Sequence, residues 1–233
     1  MLPDKLKSIF RGSGAPEESS SPFPDRGGPD KGAGKGTAKE IVTTRQSRGL
    51  EQFFTYIRDQ SGLSILDMGG ACQDNINFVT GLGHRITPQS ILQSVDETFG
   101  GVSDSDQSNP HQIETFLKNN LDYRPDTFDG VLLWDTLQFM APALLNAVVE
   151  RLHFIVRPKS YMLVLFNSEE RAKVSPVYSF RIQDKTTLRL IQRGTRETAQ
   201  AFNNRGLEKL FARFESVKFF LTRESLREII VRR

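Results

Sequence analysis

Two short segments hold the residues best suited to chemistry. The first, Ile65-Leu66-Asp67-Met68-Gly69-Gly70-Ala71-Cys72-Gln73, puts a carboxylate near the end of an apolar run, with two adjacent glycines just beyond it. A carboxylate in that place can hold a cationic amine by a charge-assisted hydrogen bond. The glycines permit positive φ and a close approach of backbone to a ligand. Amides at the start of a following helix can face polar ligand atoms. A simpler use is open to the same residues, with Asp67 capping the turn and Gly69-Gly70 letting it bend. The second segment, Phe128-Asp129-Gly130-Val131-Leu132-Leu133-Trp134-Asp135, is another apolar run ending in an acid. Asp135 can meet a ligand or cap the next turn. Trp134 and Leu137 can wall a pocket or only pack.

Other reactive residues form no constellation. The three histidines, His84, His111 and His153, are scattered, and His153 falls within an amphipathic pattern that reads as structural. Cys72 is the single cysteine and has no neighbouring histidine to activate it. One cysteine rules out an intramolecular disulfide and argues against a cysteine-ligated zinc. It fits a reducing compartment, so a cytoplasmic location is the expectation. No metal-ligand set is recognisable, and the catalytic residues stay unassigned. Gly32-Ala33-Gly34-Lys35-Gly36-Thr37 imitates a phosphate-binding loop, but Pro29 and Gly36 occupy places that need Gly and Ser or Thr.

The positioning elements follow from periodicity. The chain has 233 residues, 37% apolar and 25% charged, which suits one α/β domain with extensions. Residues 1–38 are rich in Gly, Pro, Ser and charge and read as a disordered tail, with a short amphipathic turn possible over Met1–Phe10. The folded domain is expected over 39–233. Leu50, Phe53, Phe54 and Ile57 share a helical face, and Gly62 is expected to close that helix. Leu63–Met68 reads as a buried strand. Phe78 and Val79 belong to the next helix, ended by Gly81 and Gly83. His84–Leu92 is a weaker strand because of Pro88, and Asp96–Pro110 reads as loop. Ile113, Phe116 and Leu117 mark a helix before the strand at Phe128–Asp135.

Pro142 opens a helix that Arg157-Pro158 stops. Tyr161–Phe166 is a central strand. Val177–Gln192 alternates as a hairpin. Asn203 or Asn204 caps a helix carrying Leu207, Leu210 and Phe211. Val217–Leu221 and Leu226–Val231 form a last antiparallel pair. Alternating strands and helices imply a three-layer, doubly wound, mostly parallel α/β sheet. Ligands of such sheets bind beyond the carboxyl ends of the strands, where strand order reverses. That puts Asp67–Gln73 and Trp134–Gln138 at one edge.

At these residues the chain resembles the class I S-adenosylmethionine-dependent methyltransferases. Asp67 and Gly69 match the family's first motif, while Ala71 and Gln73 stand where further glycines often occur. Phe128–Asp135 resembles its fourth-strand motif, and Arg157–Leu163 its turn and fifth strand. The resemblance implies a class I methyltransferase-like fold with a C-terminal antiparallel strand pair and an inserted hairpin. It implies S-adenosyl-L-methionine as cofactor and an unidentified small molecule or protein as methyl acceptor. By the same resemblance the cofactor site comprises Asp67, Gly69, Gly70, Ala71, Gln73, Gln89, Asn120, Leu121, Trp134 and Asp135. Asn120 falls at the interval of the adenine contact, though it can equally be a turn residue, and Asp122 can exchange roles with it. Gln89 or Ser90 stands where the family commonly has a ribose-binding acid.

These departures motivate a second reading, a non-catalytic binding or scaffold protein of the same fold. A nicotinamide site is disfavoured, since the glycines are adjacent and the acid ends the first strand. The net charge of +3 is too small to argue for nucleic acid. No run of about 18 apolar residues predicts a membrane span, and Met1–Arg11 lacks the apolar core of a signal peptide. The oligomeric state is open.

Overall fold

In a computed structural model of the chain, the residues described are 40–100, 106–169, 172–220 and 226–233. The expected tail, the turn over Met1–Phe10 and the loop-like segment at Gly32–Thr37 lie outside them. The elements run β1 (Val42–Gln46), α1 (Arg48–Ile57), β2 (Ser64–Asp67), α2 (Gln73–Gly81), β3 (Arg85–Pro88), α3 (Ile91–Phe99), α4 (Pro110–Asn120), β4 (Phe128–Trp134), α5 (Pro142–Ile155), β5 (Val156–Asn167), β6 (Val174–Ile182), β7 (Thr187–Glu197), α6 (Asn204–Leu210), β8 (Ser216–Phe220) and β9 (Leu226–Arg232).

The main sheet has the order β3-β2-β4-β5-β9-β8. The first four strands are mutually parallel, β9 runs antiparallel to β5, and β8 antiparallel to β9. From β2 the chain steps outward to β3, then returns past β2 to β4. Strand order therefore reverses between β2 and β4, and the crevice of a doubly wound sheet opens there. Pro88 is tolerated because β3 is an edge strand.

Two apolar cores make the three layers. On one face α3, α4, α5 and α6 pack on the sheet through Val95, Phe116, Val148 and Leu207, against Leu66, Val131 and Val164. On the other, α1, α2 and the β6–β7 hairpin pack through Phe53, Phe54, Val79, Phe180 and Leu190, against Ile65, Leu132 and Leu163. Ser47 caps α1 by accepting from the Leu50 amide, and Asn203 caps α6 by accepting from the Gly206 amide. The described residues thus form the expected doubly wound, mostly parallel α/β sheet, with the C-terminal antiparallel pair in place.

Three details differ from the expectations. Ile91–Phe99 is helical, because Ile91, Val95 and Phe99 recur every four residues and are all buried; the expected loop cuts into this helix. Val42–Gln46 is a strand, with Val42 opposite Ile191 and Gln46 opposite Thr187. The hairpin, for which the sequence left open covering the cleft or extending the sheet, joins β1 in a separate sheet of order β1-β7-β6. Helix α1 stops at Ile57, and Gly62 serves the following turn at φ +71°. No described helix is long and apolar enough to cross a membrane.

Candidate functional site

Asp67 closes β2 with its side chain 1% exposed. Its Oδ1 accepts from the Gly69 amide at 3.0 Å and from Trp134 Nε1 at 2.6 Å. Its Oδ2 accepts from Asn75 Nδ2 at 3.0 Å. Burial pushes the Asp67 carboxyl above the usual carboxylate range, against the opposite pull of these three hydrogen bonds. Asp67 thus caps the turn at the carboxyl edge of the sheet, with both carboxylate oxygens bonded within the protein.

The glycine pair is set by close neighbours. A Cβ on Gly69 would lie 2.8 Å from Trp134 Cδ1. Gly70 has φ +91°, and a Cβ there would lie 2.7 Å from Ser90 Oγ. Trp134 itself holds φ +53°, a left-handed conformation that bulky residues seldom adopt. This kink ends β4, seats the indole over Gly69 and stacks it on Phe180, with centroids 5.1 Å apart and planes 3° apart.

Asn75, in the first turn of α2, locks the hairpin to this turn. Its Nδ2 also donates to the Phe180 carbonyl at 3.1 Å, and its Oδ1 accepts from the Ile182 amide at 2.8 Å. Arg181 reaches Asp74 at 3.2 Å, and Arg196 reaches Asp96 on α3 at 2.5 Å. The hairpin is so fastened at both α2 and α3.

Between these parts lies a cleft of about 280 Å³. Its floor is Met68 and Gly69, and the first turn of α3 (Ser90–Gln93) makes one side. Trp134, Asp135 and Thr136 make another, and Val177–Phe180 with Arg193 form the cover. The volume is just under the range of about 300–1,000 Å³ common for small-molecule sites. The Ile91 amide donates to the Gln89 and Met68 carbonyls, and the next amides of α3, which lack intrahelical partners, are the donors this end offers to a ligand in the cleft. Asp135 is 1% exposed, and burial pushes its carboxyl up to about 8, against the lowering effect of its own amide and that of Tyr178.

Of the residues singled out in the sequence, Gly69, Ser90, Trp134 and Asp135 line this cleft. Asp67 sits behind the indole, and Gly70 backs onto Ser90. Gln89 and Asn120 are brought together, Gln89 Nε2 donating to Asn120 Oδ1 at 2.9 Å. Leu121 is fully buried in the core beneath them. Ala71 is exposed, and Gln73 donates to Asn77 on its own helix. None of the three histidines lines the cleft. Sequence reasoning assigned no role to Asn75, Tyr178, Phe180 or Arg193. Alternation in the hairpin marked one face as buried, but not what it covers.

No protein-family model matches the sequence, and no curated protein matches it. Matching solved structures include a 1,6-didemethyltoxoflavin-N1-methyltransferase of Burkholderia thailandensis, at 13% identity and TM-score 0.42 over 78% of this chain and 74% of that one. A SAM-dependent methyltransferase of Methanosarcina mazei matches at 13% identity and TM-score 0.45, over 77% and 96%. A glycopeptide N-methyltransferase matches at 12% identity and TM-score 0.41, over 78% and 84%. At such scores these likenesses carry no argument about activity, and only the geometry of the cleft can supply one.

Proposed function

We propose that this chain is an S-adenosylmethionine-dependent methyltransferase, with the cofactor seated in the cleft between the Gly69–Gly70 turn, the first turn of α3 and Trp134–Thr136. One observation carries the reading: this cleft opens where strand order reverses, beyond the carboxyl ends of β2 and β4. The residues fit such a group. The close approach that Gly69 permits is taken by the Trp134 indole, while the α3 amides can meet polar atoms of the nucleoside and the aromatic walls suit a planar base. When bound, the cofactor supplies an electrophilic methyl group. The chain then has to hold donor and acceptor in line and exclude water, and much of the rate can come from that positioning. The acceptor is a small molecule or protein whose nucleophile enters beside the hairpin. The cytoplasm is part of the proposal, on the single cysteine.

One specific feature favours the second reading, a binding protein without turnover. The Asp67 carboxylate already has three donors, and the indole packs over Gly69. Thermal melts test the cofactor site on which the first reading rests. A ligand that binds only the native state stabilises it by about 2.7 kcal/mol at a hundred times its Kd. The expected result is a melting temperature that climbs with the logarithm of S-adenosylmethionine or S-adenosylhomocysteine concentration. An unmoved melt at millimolar concentrations of both would rule out the cofactor and leave the binding protein.

A further inference from the structure

Among the described residues that line the cleft, Asp135 alone has a buried side-chain oxygen without a hydrogen-bond partner. It lines the cleft and is 1% exposed. The backbone amides of Asp135 and Tyr178 favour its charged form, but burial outweighs them. Its Oδ2 meets no hydrogen-bond donor among the described residues. A buried carboxylate oxygen without a partner is costly, and native structures seldom tolerate one without a use. Rings of Trp134, Tyr178 and Phe180 line the same space, and aromatic faces attract organic cations.

The charged and titratable groups nearby leave this corner acidic. Tyr178 on β6 is held neutral by burial first, then by the charge of Asp135. Arg193 on β7 lines the cleft but is half exposed and paired with Glu40 at 2.6 Å. Arg45 on β1 pairs with Glu228 at 2.9 Å. Asp67 lies behind the indole with its own three donors.

We propose that Asp135 is the counter-charge of the cofactor's sulfonium, set in the aromatic wall made by Trp134, Tyr178 and Phe180. The inference rests on the cleft being the cofactor's seat. With the cleft empty, Asp135 keeps its proton near neutral pH, as its raised value requires. When a sulfonium enters, the carboxyl ionises and its proton leaves to solvent. S-adenosylhomocysteine has the same outline but a neutral thioether, so it draws no proton from Asp135. Once the methyl group has left, the carboxylate faces an uncharged sulfur and is reprotonated, which loosens the spent cofactor.

Calorimetric titrations of the full chain with both ligands, from pH 6 to pH 9, test this. The sulfonium lowers the pKa of its own ligand's amine, so the titration of each free ligand is measured alone and removed before the affinity ratio is taken. The ratio of S-adenosylmethionine to S-adenosylhomocysteine affinity is expected to rise about tenfold per pH unit and to level off near pH 8. Heats measured in buffers of different ionisation enthalpy should show a proton released with the sulfonium ligand alone. Asp135→Asn should flatten the ratio while still binding S-adenosylhomocysteine, which also shows that the variant is folded. If it does not fold, the wild-type proton count decides by itself. A ratio independent of pH in a protein that binds both ligands overturns the role of Asp135 and leaves the cofactor site standing. Failure of both ligands to bind overturns the site and this inference together.

Discussion

Asp135→Asn should make the protein less sensitive to rising pH. The folded carboxyl titrates near 8, against an ordinary value of 3.8, because burial disfavours its charge. Between those values the unfolded chain has released a proton that the folded chain keeps. The stability contribution of this group is therefore full below pH 4 and is lost as pH climbs towards 8, at about 1.4 kcal/mol per unit. Asparagine has a similar shape and no proton to lose. The variant's stability relative to wild type should rise across that window by several kcal/mol. Denaturant unfolding at pH 5, 6, 7 and 8 reads the difference directly. Two profiles that run parallel would show that Asp135 is ionised in the native protein, and the unmet oxygen would need another explanation.

The second large effect lies outside the cleft, where β1 meets the main sheet. Arg45 and Glu228 form an ion pair at 2.9 Å with side chains 3% and 0% exposed. Glu228 Oε2 also accepts from the Gly49 amide at 2.7 Å. Burying two charges is expensive, and the pair repays it only while both partners are present. Glu228→Ala should cost about 3–5 kcal/mol and lower the melting temperature by on the order of 10 °C for a domain of this size. Replacing both residues with apolar ones of similar volume should recover much of that loss. A single variant that melts within a degree or two of wild type would mean that the pair is solvated in solution.

The sequence foretold the skeleton where local pattern dictates it. The apolar run ending in Asp67, the one ending in Asp135 and the α5 stripe of Leu145, Val148, Val149 and Leu152 are signals carried by neighbouring residues. The short strand β1, Val-Thr-Thr-Arg-Gln, has no apolar alternation, and only its distant partners Thr187–Ile191 make it a strand. Helix α3 was hidden because Ser94, Asp96, Glu97 and Thr98 dilute a stripe of only three buried residues.

The site was legible in its glycines and acids but not in its closure. The Trp134–Asp67 bond links residues 67 positions apart. Asn75 reaches Phe180 and Ile182 more than 100 positions away. The Gln89–Asn120 bond is likewise a product of two elements meeting. Such contacts exist only after the sheet has assembled, and no spacing along the chain announces them. The same assembly turned Asp67, read as a group that can face the cofactor, into one bonded within the protein, and left Asp135 as the open carboxyl of the cleft.

Trp134 is the single tryptophan of the chain, and its indole N–H is bonded to Asp67 at one wall of the cleft. A two-dimensional nitrogen–proton spectrum therefore carries one indole signal, from the wall against which the nucleoside is proposed to sit. Titrating the labelled protein with S-adenosylhomocysteine should move that signal along a saturable curve. A signal that stays in place at millimolar ligand, while the protein remains folded, would mean that the cleft does not hold the cofactor.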